Sequence, residues 1–124
     1  MLVLLVDDSV PVAEMLRNVL EAHGHSVTIA RSFAAGRAAL DNSFDLVISD
    51  LELRDGSGDE LCALAKTVAP RTHTILLSGG FADQDAAERF AATHPALDVA
   101  YAKGASPVIE TLLAGIAQLG PTAS

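Results

Sequence analysis

Several residue types that anchor other classes of protein are scarce in this chain. It has one cysteine, Cys62, so no disulfide closes within it and a reducing cytoplasm is the simplest compartment. The four histidines, His23, His25, His73 and His94, show no ligand spacing with that cysteine, which argues against a thiolate or imidazole zinc site. Tryptophan is absent and aromatic residues make up 4% of the sequence. The core must therefore be built from Leu, Val, Ile and Ala, a composition that suits buried parallel strands. Lys66 and Lys103 are the two lysines, and the formal net charge is −8. Both facts argue against direct binding of nucleic acid or an anionic membrane, since phosphate-rich surfaces demand clustered Lys and Arg. No apolar run is long enough to span a bilayer. The opening Met1–Val6 lacks a basic leader and runs straight into Asp7-Asp8, so it reads as a core strand rather than a signal peptide.

At 124 residues the chain has the size of one domain, enough to bury a five-stranded sheet with helices on both faces but not to add a separate output domain. The domain is expected to occupy residues 1–120, with 121–124 as a frayed tail. Its apolar runs end in polar residues. Leu2–Val6 ends at Asp7-Asp8, Phe44–Ser49 at Asp50, Thr74–Leu77 at Ser78 and Val99–Ala102 at Lys103. If these runs are parallel strands, their carboxyl ends share one crevice, where open α/β sheets bind ligands. Three carboxylates gathered there repel one another unless a hard cation, most simply Mg²⁺ or Mn²⁺, lies among them. An anion between that cation and Lys103, with a hydroxyl donor at Ser78, would have its charge matched from both sides. Gly79, beside Ser78, leaves the backbone room to approach such an anion.

Helical patterns alternate with the strands. Ser9 is expected to cap a helix carrying Val12, Met15, Leu16, Val19 and Leu20, with Pro11 in its first turn and His23-Gly24 as its stop. A short strand over Val27–Ala30 precedes a helix from Ser32 to Asn42, interrupted by Gly36. Ser57-Gly58-Asp59-Glu60 has the spacing of a capping box and opens a third helix that runs towards Val68, in which Cys62 is expected to be a small core residue. A thin apolar face of Ala86, Ala87, Phe90 and Ala91 marks a helix from Asp83 to Thr93, and Ser106-Pro107 opens a last one with Ile109, Leu112, Leu113 and Ile116 on one side. Strands and helices in alternation imply right-handed crossovers and a parallel sheet.

An acidic pair, an Asp, a Ser and a Lys on successive strand ends resemble the receiver domain of two-component response regulators, and the resemblance covers essentially the whole chain. Asp50-Leu51-Glu52-Leu53-Arg54-Asp55-Gly56-Ser57-Gly58 looks like the family's phosphoacceptor loop, with Arg54 where proline is common. The resemblance implies a flavodoxin-like (βα)₅ fold with strand order 2-1-3-4-5. It implies that Asp50 accepts a phosphoryl group from a histidine kinase or histidine phosphotransfer protein, that Asp7, Asp8, Asp50 and the backbone carbonyl of Glu52 hold the metal, and that Ser78 and Lys103 contact the phosphoryl oxygens. By the same likeness Asp8 is the direct ligand, and Asp7 either acts through water or only tunes the charge. The chain would be a signalling phosphoacceptor rather than an enzyme, acting on a downstream protein.

In the family an aromatic switch residue commonly lies three positions before the lysine. Here that position is Ala100, while Tyr101, one step on, should point to the opposite face of the sheet. Output is then expected to depend on the Gly79-Gly80 loop and the helix after it. Two other readings stay open from sequence: a pseudo-receiver that binds partners without phosphate, and a small-molecule phosphohydrolase with an aspartyl-phosphate intermediate. The second lacks any segment for a specificity lid.

Overall fold

Each apolar run becomes a strand in the computed structural model, which describes residues 1–103 and 108–119. In chain order the elements are β1 (Leu2–Val6), α1 (Val10–Ala22), β2 (Ser26–Ala30), α2 (Phe33–Ala39), β3 (Leu46–Asp50), β4 (Glu52–Leu53), β5 (Gly56–Ser57), α3 (Gly58–Val68), β6 (His73–Ser78), α4 (Gln84–Ala92), β7 (Val99–Ala102) and α5 (Val108–Leu119). The main sheet is parallel throughout, in the order β2-β1-β3-β6-β7. Setting aside the two-residue ribbon β4-β5, this is the expected 2-1-3-4-5 arrangement. The direction in which successive strands are added reverses between β1 and β3, which opens a crevice at their carboxyl ends.

Alternation along the strands divides the core into two layers. Val3, Leu5, Leu46, Ile48, Ile75, Leu77 and Tyr101 face α1 and α5, meeting Leu16, Leu20, Leu112 and Ile116. Leu4, Val6 and Val47 face the other way, towards Leu61 and Ala65 of α3. Further along that second layer Leu76, Ala100 and Ala102 meet Cys62 and Ala87. The central strands β1 and β3 are buried on both sides and almost wholly apolar up to their ends, as parallel sheets require, while the edge strand β2 is half-exposed and carries Ser26 and Thr28.

The stop signal after α1 is a Schellman motif. Gly24 adopts φ 89°, its N–H donates to the Glu21 carbonyl at 3.1 Å, and the His25 N–H donates to the Leu20 carbonyl at 3.1 Å. The helix starts depart from expectation. Ser9 occupies the cap position of α1, but its hydroxyl makes no capping bond. Its own N–H is instead bound by the Asp7 carboxylate at 2.9 Å. Ser57 precedes α3, yet the capping box does not close, because the Ser57 hydroxyl donates to Asp59. Ser32 does cap α2, accepting the Ala35 N–H at 2.9 Å. That helix ends at Ala39, short of Asn42, and its Gly36 is buried against Val6 and Leu61. The helix opened by Ser106-Pro107 is present as α5 from Val108, while Ser106, Pro107 and the 121–124 tail lie outside the described residues.

Candidate functional site

Strand register assembles the site. Val6 pairs with Ser49 across β1 and β3, so the next residues, Asp7 and Asp50, leave the sheet side by side. Asp50 pairs with Leu77 on β6, and Ser78 pairs with Ala102 on β7, which brings Ser78 and Lys103 to the same end. The Lys103 N–H donates to the Ser78 carbonyl at 2.8 Å, fixing that corner. One carboxylate oxygen from each of Asp7, Asp8 and Asp50 lies within 4.8 Å of the others.

The three acids have different surroundings. Asp7 is 1% exposed; one oxygen accepts the Ser9 N–H and the other accepts from Lys103 Nζ at 3.1 Å. Asp8 is more open, and the positive charge paired with it among the described residues is the Arg54 guanidinium at 3.7 Å, an arginine that is itself almost fully solvated. Asp50 is 7% exposed. Its Oδ1 lies 3.5 Å from Lys103 Nζ but forms no aligned hydrogen bond among the described residues. Burial pushes the Asp50 carboxyl up to about 6; Lys103 opposes that shift, while the nearby charges of Asp7 and Glu52 add to it.

A buried carboxylate oxygen without a hydrogen-bond donor, in a set made only of carboxylates, is the donor chemistry of a hard divalent cation. The residues present therefore fit a bound Mg²⁺ or Mn²⁺. The Asp50 backbone is also fixed. Leu51 N–H donates to the Leu77 carbonyl at 2.8 Å, and Gly58 N–H donates to the Leu51 carbonyl at 2.9 Å. Any Cβ at Gly58 would land on the Asp50 carbonyl oxygen, so the loop must return through a glycine. Asp55, in the turn between β4 and β5, accepts the N–H groups of Phe33 and Ala34 at 2.7 and 3.0 Å. This ties the loop after Asp50 to the start of α2.

Ser78 stands in an unexpected contact. Its hydroxyl donates to the Glu52 carboxylate and accepts the Gly80 N–H at 2.9 Å. Glu52 was singled out in the sequence only for its backbone carbonyl, and nothing local distinguishes its side chain from any solvated glutamate. Of the two glycines after Ser78, Gly80 is the crowded one and Gly79 the open one. A Cβ at Gly79 would meet nothing within 4 Å, whereas one at Gly80 would lie 2.8 Å from Glu52 Oε1 and 3.3 Å from Ser78 Oγ. Tyr101 and Ala100 do point to opposite faces: Tyr101 packs in the α1–α5 layer and Ala100 beneath α4. The Tyr101 ring reaches α5, where its hydroxyl occupies the space a Gly115 side chain would need. Cys62 is fully buried, and burial pushes its thiol up to about 12, so it is a core residue and not a nucleophile.

A five-stranded parallel sheet with three carboxylates, a serine and a lysine at the carboxyl ends of its strands defines a flavodoxin-like α/β domain with an acidic pocket that could hold a metal. Comparison with known families gives the specific assignment: the response regulator receiver domain family matches residues 3–98, and the chain belongs to it. Among solved structures it is similar to a receiver domain protein (CheY-like) from Methanospirillum hungatei, at 27% identity and a TM-score of 0.79, covering 94% of this chain and 90% of that one. A receiver domain from Clostridium thermocellum is 25% identical with a TM-score of 0.79, covering 95% and 92% of the two chains. TrrA of Thermotoga maritima, solved in complex with Mg²⁺-BeF, shares the fold at 23% identity and a TM-score of 0.78, covering 96% and 98%. A comparison with curated proteins finds no match. Among the described residues no helix is long and apolar enough to cross a membrane.

Proposed function

We propose that Asp50 is the phosphoacceptor of this receiver domain, taking a phosphoryl group from a histidine kinase or a histidine phosphotransfer protein in the cytoplasm and passing the signal to a downstream protein. The observation that carries this reading is the Asp50 Oδ1 atom, buried and with no hydrogen bond formed to it among the described residues, beside Asp7 and Asp8 and 3.5 Å from the Lys103 ammonium. Such an oxygen keeps its lone pairs available for an incoming phosphorus.

The step is an in-line displacement. An oxygen of ionised Asp50 bonds to phosphorus as the bond from phosphorus to the donor's imidazole nitrogen breaks, and the imidazole departs with that electron pair. Lys103 holds its ammonium over the Asp7 and Asp50 carboxylates, where it matches charge that shifts to the phosphoryl oxygens. Ser78 supplies a hydroxyl to one of those oxygens once Glu52 releases it. Asp8, Asp50 and the Glu52 backbone carbonyl would hold Mg²⁺ or Mn²⁺, with Asp7 acting through water, and the bound cation would supply positive charge to the same oxygens. Asp8 suits direct ligation because Asp7 has both oxygens engaged by Ser9 and Lys103. The Mg²⁺-BeF complex of TrrA supports the same metal here.

The test is incubation with a small-molecule phosphodonor, read by intact-protein mass. A single phosphoryl adduct should form with Mg²⁺, vanish in excess chelator and be absent from Asp50→Asn. Full labelling of that variant would overturn the assignment.

A further inference from the structure

One side chain closes the outer edge of the sheet at β7. Lys103 sends its N–H across to Ser78 on β6, and backbone groups along a strand alternate sides, so Ala102 and Ala100 turn theirs outward to the edge. Gln84, the first residue of α4, meets both. Its Nε2 donates to the Ala100 carbonyl at 2.9 Å, and its Oε1 accepts the Ala102 N–H at 3.1 Å. A carboxamide that binds the carbonyl of one residue and the N–H two residues on copies what one residue of a neighbouring parallel strand would do. An edge that would otherwise invite another strand is thereby covered. Small residues allow the reach: Ala87, Ala100 and Ala102 are all buried where α4 meets β7, and no aromatic ring at position 100 stands between them.

We propose that Gln84 is the latch that holds α4 on β7 in the resting protein, and that its release carries the state of Asp50 to the α4–β7 surface. The release half rests on the phosphoacceptor reading above. The path is short and covalent. The Ser78 hydroxyl holds the Gly80 N–H at 2.9 Å, and the chain from Gly80 reaches Asp83, whose carboxylate caps α4 by accepting the Ala86 N–H at 2.8 Å. A Ser78 hydroxyl drawn towards a phosphoryl oxygen pulls on that segment. Because both latch bonds belong to one planar amide, a displacement of the first turn by roughly 1 Å takes both out of hydrogen-bonding range.

Amide hydrogen exchange, resolved by NMR on the full chain, tests both halves. In Gln84→Ala the Ala102 amide should exchange faster by about fivefold or more, the loss of one net hydrogen bond, while the Lys103 amide keeps its wild-type rate. Gln84→Met, which keeps the length without the amide, should behave like Gln84→Ala. Wild-type protection of Ala102 in both variants would overturn the latch. In wild type, Mg²⁺ with beryllofluoride should raise Ala102 exchange to the level of Gln84→Ala, with no response in Asp50→Asn. If the Ser78 and Gly80 resonances shift on adding beryllofluoride while Ala102 stays protected, release is overturned and the phosphoacceptor reading stands. If none of the Asp50, Ser78 and Gly80 resonances responds, the phosphoacceptor reading fails and release falls with it, leaving the resting latch decided by the two Gln84 variants.

Discussion

Asp50 is held in a state that costs the folded protein free energy whenever it ionises. Its folded carboxyl titrates near 6, above the value of about 3.9 expected in an unfolded chain. The native state therefore retains a proton that the unfolded state has lost between those values, and this contribution to stability falls as pH rises from about 4 through about 6, then stays low. Metal-free Asp50→Asn should accordingly melt a few degrees above wild type at neutral pH, with the gap closing near pH 4. A constant gap across the range would show that Asp50 is not the source. Glu52 offers a second test at this scale. Its charge adds to the shift on Asp50 and its carboxylate holds the Ser78 hydroxyl. In Glu52→Ala an anionic phosphodonor meets one fewer negative charge and a free hydroxyl, so labelling of Asp50 should be severalfold faster; a slower rate would mean that Glu52 assists transfer.

At the scale of elements, the end of α1 rests on Gly24, whose φ of 89° strains any residue with a Cβ. Gly24→Ala should destabilise the domain by about 1 kcal/mol, visible as a lower denaturant midpoint with an unchanged slope. This stop was legible in the sequence because only a glycine serves the turn. The strand ends were legible for a related reason: a charged or polar residue that closes an otherwise apolar run marks where the strand meets the crevice, so Asp7, Asp50, Ser78 and Lys103 announced their own positions. Caps were less legible. Ser9 and Ser57 have the right identity and place, but neither hydroxyl caps its helix: Ser57 turns its hydroxyl to Asp59, and at Ser9 the bond that forms is from its N–H to Asp7, local choices that residue identity alone does not decide. The β4-β5 ribbon and the reach of Glu52 to Ser78 join residues whose pairing depends on a folded loop, which leaves no periodic trace.

For the molecule as a whole, the acidic pocket and the fold are coupled. Three carboxylates within 4.8 Å weaken the metal-free state through mutual repulsion, and a cation that binds only the native arrangement stabilises it by mass action. Mg²⁺ at about a hundredfold over its dissociation constant should raise stability by about 2.7 kcal/mol, seen as an upward shift of the thermal midpoint. Asp8→Asn should lose most of that shift and Asp7→Asn less, since Asp7 already shares its charge with Lys103. Equal losses would mean that both acids ligate directly. The packing of Tyr101 against α5 has an optical consequence. With no tryptophan and a single tyrosine, all ultraviolet emission beyond the weak phenylalanine background comes from this one ring, lodged at Gly115. The domain thus carries an unlabelled fluorophore at the β7–α5 seam, on the side of the sheet away from α4. A change in its intensity or anisotropy when the pocket is filled would time events at that seam separately from those at Gln84.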